Sequence, residues 1–416
     1  MCAQVAADRV SYEDLYARWE QGNWHATDID FSVDREQWHG TLTEVERRSA
    51  MWTYSLFFHG EDSVTDNLSP FIDAAPREVQ KYFLATQQAD EARHAVLFGR
   101  FMREVPGVGS DPASSLSATL PELTWGFRKV FARLDAMAAE LRRDGSRPKL
   151  AQAITLYHLV IEASLAQPGQ HFIDEGLARR GLLPGLREGV GHVARDEQRH
   201  IAFGVKMIAD LVREDPDCEP AIEELLRDVF PYVTAVFVPP GWNEEYVTCF
   251  GFTLQDVYTH GAETLEGRLR AAGLDPGKMR VGLPFDLPAS ERARRGLTLL
   301  RAGYLGESNG PVTQNPEATA MLFDGLRRQI DPAAAPGATI QWDFTDAPPW
   351  HLRIEHGSTS AAPGHADRAD LTFRCRFQDW VDIAAGRTEP WRSLLLRKVR
   401  PSGSLRMLAR APKLFG

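Results

Sequence analysis

The sequence predicts an all-α helical bundle followed by a smaller α+β domain, and three observations carry that expectation. Two copies of Asp-Glu-x-Arg-His lie on long stretches free of helix breakers. Pro and Gly gather between residues 272 and 290. Beyond them, apolar residues alternate with polar ones as half-buried strands do. The expected organisation is a bundle domain over 1–275, a linker over 276–290 and a second domain over 291–416. A length of 416 residues suits more than one domain, and 43% hydrophobic with 25% charged residues is ordinary for globular chains with a real core.

Taken in order, residues 1–40 read as irregular, with Trp and His scattered among polar residues. Thr41-Leu42-Thr43-Glu44 reads as a capping box opening a long helix through MWTYSLFFHGEDSV. Pro76 suits a first helical position, and no breaker follows until Pro106. Further helices are expected at about 121–143, 149–177, 185–213 and 219–231, separated by Gly and Pro. Four of these are long enough to form an antiparallel bundle. In the second domain, one or two helices (about 290–330) precede the strand patterns Ile340/Trp342/Phe344, Leu352/Ile354 and Leu371/Phe373/Cys375/Phe377.

Bulk properties exclude several functions. A net charge of -10 argues against a dedicated nucleic-acid partner, because neutralising phosphates needs an excess of Lys and Arg. Cys2, Cys218, Cys249 and Cys375 are scattered, without the pairing of a thiolate zinc site or a disulfide framework. The first twenty residues have no basic stretch followed by an apolar run, so no signal peptide is expected. No apolar run approaches the roughly 20 residues that span a bilayer. A reducing cytoplasm is the expected address.

The chemistry rests on Asp90-Glu91-Ala92-Arg93-His94 and Asp196-Glu197-Gln198-Arg199-His200. Three residues along a helix bring Glu and His to one face, within reach of one metal. A single such pair means little, and Glu36 with His39 is read as coincidence. Two copies in the same Asp and Arg context are far more specific. A dimetal bundle needs one further carboxylate from each of two other helices. Glu61 and Glu162 supply them, each among apolar neighbours where an unpaired carboxylate is costly. Four carboxylates and two neutral imidazoles balance two divalent cations, and oxygen with imidazole ligands suits iron or manganese. Asp90 and Asp196 are expected to accept the other ring N–H of the opposite motif's histidine, Asp90 from His200 and Asp196 from His94. The competing reading makes these residues helix-surface ion pairs with Arg93 and Arg199. His59, Asp62 and His158 are the neighbours that could compete for a place in the site.

Over about residues 20–275 these motifs, with YHLVIEASLA around Glu162 and WNEEYVTCFGFTLQDVYTHGAETLEGRLRAAGL, resemble the ligand-binding oxidases related to ribonucleotide reductase small subunits. The resemblance implies a ferritin-like bundle with an Fe/Fe or Mn/Fe pair, O2 as oxidant and a fatty-acid-like ligand near the metals. It also implies an ether cross-link between a Val and a Tyr, here Val64 and Tyr157. Val64 follows Glu61 by three residues. Tyr157 precedes Glu162 by five, off the ligand face of an α-helix, and a π-bulge would bring the two into line. Reductase subunits carry a radical tyrosine four residues after the first motif's histidine; here that position is Phe98, which cannot form a phenoxyl radical.

Residues 291–416 resemble the sterol-carrier-protein-like lipid-binding fold, through NPEATAMLFDGLRRQI and ADLTFRCRFQDWVDIAAGRTEPWRSLLLRKVRPSGSL. After Glu389 come seven Lys or Arg and no acid. The expectation is an oxygen-activating dimetal oxidase or monooxygenase acting on a lipid-like or other apolar small molecule. Its electron donor is unidentified, and related bundles imply a homodimer. The alternatives are a natural-product monooxygenase or N-oxygenase with the same metals, and a lipid carrier without turnover.

Overall fold

The structure, a computed structural model, describes residues 10–308 and 310–415. Cys2 and the rest of the first nine residues lie outside that range. The chain divides into two compact units: residues up to Ile222 with Val236–Asp275, and Glu223–Ala235 with Pro276 onward.

The first unit is helical. Residues 12–40 are more ordered than the sequence suggested, with helices α1 (Tyr12–Gln21) and α2 (Ser32–Gly40). The signal for α1 was a capping box, Ser11 with Asp14, hidden in a polar stretch. Both helices are pinned by buried polar contacts. The Tyr12 hydroxyl donates to Asp210 at 2.8 Å and accepts from the Gln80 amide at 3.0 Å. Asp34 accepts the backbone N–H of Gly185 and of Leu186, each at 2.8 Å.

The bundle proper follows. Helix α3 (Glu44–Asn67) opens on a capping box made by Thr43 with Glu46, two residues later than Thr41 with Glu44. A short α4 (Ser69–Ala74) leads to α5 (Glu78–Glu104), which packs along α3. Helices α6 (Pro112–Thr119) and α7 (Trp125–Leu141) connect to α8 (Arg147–Ile154). There the backbone changes to a π-helix, Thr155–Ala166, before resuming as α9 (Gln167–Arg180). Helix α10 (Pro184–Glu214) is capped by Asp34 and packs on the π segment. Contact there is close: a Cβ on Gly204 would lie 2.3 Å from His158 Cβ, so only glycine fits. Helix α11 (Cys218–Val233) contains the division between the units, and α12 (Glu245–Thr248) and α13 (Leu254–Ala271) complete the first.

The second unit is α+β. Helices α14 (Ala289–Arg301) and α15 (Pro316–Gln329) precede a five-stranded sheet of order β3-β2-β1-β4-β5. The strands are β1 (Thr339–Phe344), β2 (Trp350–Glu355), β3 (Ser358–Pro363), β4 (Leu371–Cys375) and β5 (Val399–Gly403). The β1–β4 pair is parallel and the other pairs antiparallel. Ile340, Trp342, Phe344, Leu352, Ile354, Leu371, Phe373 and Cys375 are buried, as alternation requires. Phe377 instead opens α16 (Phe377–Ala384), followed by α17 (Pro390–Leu395) and α18 (Leu405–Phe415). The stretch 276–290, expected as a linker, belongs to this unit. Its Val281, Leu283 and Phe285 are buried, so its Pro and Gly shape a packed irregular segment rather than a tether.

Candidate metal centre

Four helical segments of the first unit bring the six expected ligand residues together. Glu61 comes from α3, Glu91 and His94 from α5, Glu162 from the π-helix, and Glu197 and His200 from α10. All six are buried. His94 Nδ1 lies 3.4 Å from Glu61 Oε2, 3.3 Å from Glu91 Oε2 and 3.8 Å from Glu197 Oε1. His200 Nδ1 lies 3.1 Å from Glu91 Oε1, 3.6 Å from Glu162 Oε1 and 3.7 Å from Glu197 Oε2. Two donor groups result, Glu61/Glu91/His94/Glu197 and Glu91/Glu162/His200, with Glu91 common to both.

The donors fit cations rather than one another. His94 Nδ1, His200 Nδ1, Glu162 Oε2 and Glu197 Oε2 are buried without a hydrogen-bond partner, although the two ring nitrogens sit close to several carboxylate oxygens. Buried polar atoms are rarely left so, and four of them around one point mark a place for metal. The cluster can hold two ions.

The outward ring nitrogens are fully engaged. His94 Nε2 is 3.1 Å from Asp196 Oδ2, and His200 Nε2 is 3.1 Å from Asp90 Oδ2. Each aspartate also accepts an indole N–H, Asp196 from Trp24 at 2.8 Å and Asp90 from Trp19 at 2.9 Å. Arg199 donates to Asp90 at 3.0 Å and to Asp196 at 2.6 Å, and Arg93 pairs with Asp90. The arginines therefore neutralise the aspartates, and neither pairs with a glutamate of the centre. Trp19 and Trp24 escaped the sequence reading, because they lie in residues 1–40 at no spacing related to either motif.

A second polar group lies on the π-helix side. Tyr157 donates its hydroxyl proton to Glu91 Oε1 at 2.7 Å. The Gln87 amide donates to Glu162 Oε1 at 2.8 Å and to the Tyr157 oxygen at 3.1 Å. Its Oε1 lies 3.0 Å from His158 Nε2. Burial pushes His158 down to about 3, so this ring is neutral and its Nε2–H is the donor. His158 thus orients Gln87. Gln87 was also missed, although it stands one helical turn before Glu91. His59 instead bonds Thr119 at 2.9 Å, Asp62 is absent from both donor groups, and Glu36 and His39 are exposed on α2.

Tyr157 and Val64 line the same apolar cavity of about 60 Å³, with Phe57, Phe131, Ile161 and Leu165. Glu61, Glu91, Glu162 and Glu197 form its polar end. Burial, with the nearby Glu91 and Glu162 charges, raises the Tyr157 hydroxyl well above its usual range, so it keeps its proton. Phe98 is fully buried and stacks on Phe57 with centroids 5.6 Å apart.

A ferritin-like helical bundle with two Glu-x-x-His pairs and two further glutamates defines a dimetal-carboxylate protein. Residues 8–232, over half the chain, match the ribonucleotide reductase small chain. The chain belongs to that family of oxidoreductases. Residues 329–416 match the SCP-2 sterol transfer family. Among solved structures, a variant of an R2-like ligand-binding oxidase with an anaerobically reconstituted Mn/Fe cofactor is similar at 25% identity and TM-score 0.54. The match covers 64% of this chain and 94% of that one. A second variant, aerobically reconstituted with Mn/Fe, gives the same values, and a third, anaerobically reconstituted, is 26% identical at TM-score 0.54 over the same shares.

Metal-free electrostatics give a testable consequence. Burial, against the relief from His94, pushes Glu61 up from 4.5 to about 8, and burial also raises Glu162 and Glu197. Burial opposes the charged form of His94 and His200, but the surrounding carboxylates outweigh it and raise both. Between the unfolded and folded values of Glu61 the folded chain holds a proton that the unfolded chain has lost, so stability falls as pH rises. The raised histidines lose their stabilisation in the same direction. Glu91 and Asp196, held low, have contributed in full above 4.5. The Tm of metal-free protein is expected to fall between about pH 5 and about pH 8, and metal should flatten the profile. Scanning calorimetry with and without metal checks this; a flat metal-free profile would contradict it.

Proposed function

We propose that this chain is an oxygen-dependent non-haem dimetal oxidase, Mn/Fe or Fe/Fe, that oxidises a lipid-like apolar molecule. The six ligands are Glu61, Glu91, His94, Glu162, Glu197 and His200. The carrying observation is that four buried donor atoms without hydrogen-bond partners, two of them histidine nitrogens, belong to two donor groups that share Glu91 at the polar end of an apolar cavity. The Mn/Fe cofactor of the similar oxidases supports the choice of metals. Bound metal would supply the binding and reduction of O2 and the oxidising power to attack a C–H bond. The protein does the rest. Asp90 and Asp196 hold each imidazole with Nδ1 inward, Glu91 spans the two donor groups, and the apolar wall excludes water and holds the substrate's hydrocarbon part.

Full-length protein is expected to retain two metal ions per chain by elemental analysis, with both lost in Glu91→Ala and in Glu197→Ala. Asp196→Asn should keep the fold but weaken metal binding by about 10–100-fold. One zinc per chain, indifferent to Glu61→Ala and Glu162→Ala, would overturn the assignment.

Self-oxidation at Tyr157 and Val64 is part of the proposal. An ether forms between the Tyr157 oxygen and a Val64 side-chain carbon, and the O–H and C–H bonds break. Two protons and two electrons leave, with O2 as the acceptor. Support comes from their common cavity and from Glu91, which lies 2.7 Å from the phenol oxygen and can take its proton. Peptide mapping after aerobic metal loading should find the two peptides joined with two hydrogens lost, and separate after anaerobic loading. Unmodified peptides in both cases would remove this claim and leave the metal site intact.

The second unit is proposed to bind apolar ligands for the oxidase, which its match to a sterol transfer family supports. Linkage raises the local concentration of whatever it holds. A cytoplasmic homodimer completes the reading, with Cys218, Cys249 and Cys375 as free thiols. Fluorescent fatty acids, sterols and acyl thioesters should bind the full chain with an additional site that disappears when residues 291–416 are removed. Metal content should stay unchanged; equal binding by both chains would refute the role of this unit.

A further inference from the structure

Nine large apolar residues are exposed among the described residues, and four of them fall within six positions: Trp391, Leu394, Leu395 and Leu396. Trp391 is 62% exposed, Leu395 74% and Leu396 59%. The other five, such as Val33 and Tyr82, are scattered along the sequence, which is ordinary for a protein surface. A run of four is not ordinary.

The run is held in place by the backbone. Within and after α17, the N–H of Leu396 bonds the Arg392 carbonyl at 3.0 Å, that of Arg397 bonds Leu394 at 3.0 Å, and that of Lys398 bonds Ser393 at 2.9 Å. Arg397 takes the left-handed conformation (φ 55) that closes the turn. Ser393 and Val399 are buried and anchor the segment on both sides. The apolar side chains therefore project from a hydrogen-bonded knuckle, and its cost in exposed hydrocarbon is built in.

From Pro390 onward every charged residue near it in sequence is a cation. Arg392, Arg397, Lys398 and Arg400 are exposed. Of the four, only Lys398 has a carboxylate within ion-pair distance among the described residues, Asp379 at 3.6 Å. The chain as a whole carries -10, so this positive corner runs against its net charge. Exposed indole and leucine side chains interleaved in sequence with Arg and Lys match the interface of a bilayer, where hydrocarbon enters between headgroups and cations meet lipid phosphates and carboxylates.

We propose that the Trp391–Lys398 knuckle docks the second unit on an anionic lipid bilayer. Trp391, Leu395 and Leu396 insert to the depth of the headgroup boundary, and Arg392, Arg397 and Arg400 pair with anionic headgroups. The surface shares no residue with the metal centre. Its bearing on function rests on the proposed apolar-ligand reading, since a bilayer is where molecules too apolar for water are held.

The test is co-sedimentation of the full-length protein with vesicles of phosphatidylcholine alone and of phosphatidylcholine with phosphatidylglycerol. Binding is expected to the anionic vesicles and to weaken with salt. An Arg392→Gln/Arg397→Gln/Arg400→Gln variant should lower the partition coefficient by about tenfold or more. A Trp391→Ser/Leu395→Ser/Leu396→Ser variant should lower it at least as far. Metal content and Tm of each variant should match the parent, which separates this proposal from the oxidase reading. Absence of binding by the parent, or unchanged binding in either variant, would overturn it. So would a parent dimer that becomes monomeric in the serine variant with no vesicle binding in either, since the knuckle would then be a contact between two copies.

Discussion

Four glutamates share one water-excluded point in the helical unit, and much of its architecture answers that electrostatic cost. At about 4 Å and an effective dielectric near 20, each like-charged pair costs about 4 kcal/mol. The metal-free chain softens this by keeping protons on some carboxylates, as the raised Glu61 and Glu162 do, and on the raised His94 and His200 between them. Surrounding charge does not help, because Arg93 and Arg199 are committed to Asp90 and Asp196. Two divalent cations are what remain to balance four negative charges, and the orphaned histidine nitrogens face the same place.

The aspartates make that place rigid. Each ties one histidine to a tryptophan and to an arginine, so the ligand geometry is fixed from outside before any metal arrives. The tryptophans come from the segment containing α1, whose Tyr12 is itself bonded to Gln80 on α5 and Asp210 on α10. Residues 12–24 therefore close over the outward side of both motifs. Loosening that segment would free the aspartates, and through them the imidazoles, without touching a ligand.

How much of this was legible follows from what each signal depends on. The two Asp-Glu-x-Arg-His motifs are local: a helix alone brings Glu and His to one face, so spacing was enough. Glu61 and Glu162 could be chosen because a carboxylate amid apolar neighbours needs a reason to be there. The strands β1, β2 and β4 alternate, and alternation is visible. β3 (STSAAP) and β5 (VRPSG) lie at the two sheet edges with little apolar periodicity, and nothing in their sequences announces a strand. Trp19, Trp24 and Gln87 owe their roles to tertiary contacts across 71, 172 and 75 positions. Pro and Gly over 276–290 mark irregular backbone, and the buried Val281, Leu283 and Phe285 show that irregular backbone is not the same as unpacked backbone.

The π-helix joins the fold to the chemistry. Its length of twelve residues is unusual, since most π segments are single-turn bulges. In an α-helix, positions five apart diverge by about 140°, and Tyr157 and Glu162 could not both face the metals. The wider π turn reduces that divergence, and Tyr157 reaches Glu91 while Glu162 reaches Gln87. A widened helix needs room, and the neighbours provide it with glycine. Gly204 on α10 lies against His158, and a Cβ on Gly261 of α13 would lie 2.8 Å from the Ser164 carbonyl oxygen. Glycines on two other helices thus permit the backbone form that brings a phenol, a carboxylate and an apolar wall to one cavity. A substitution at either would act on the centre through the shape of this helix rather than through any ligand.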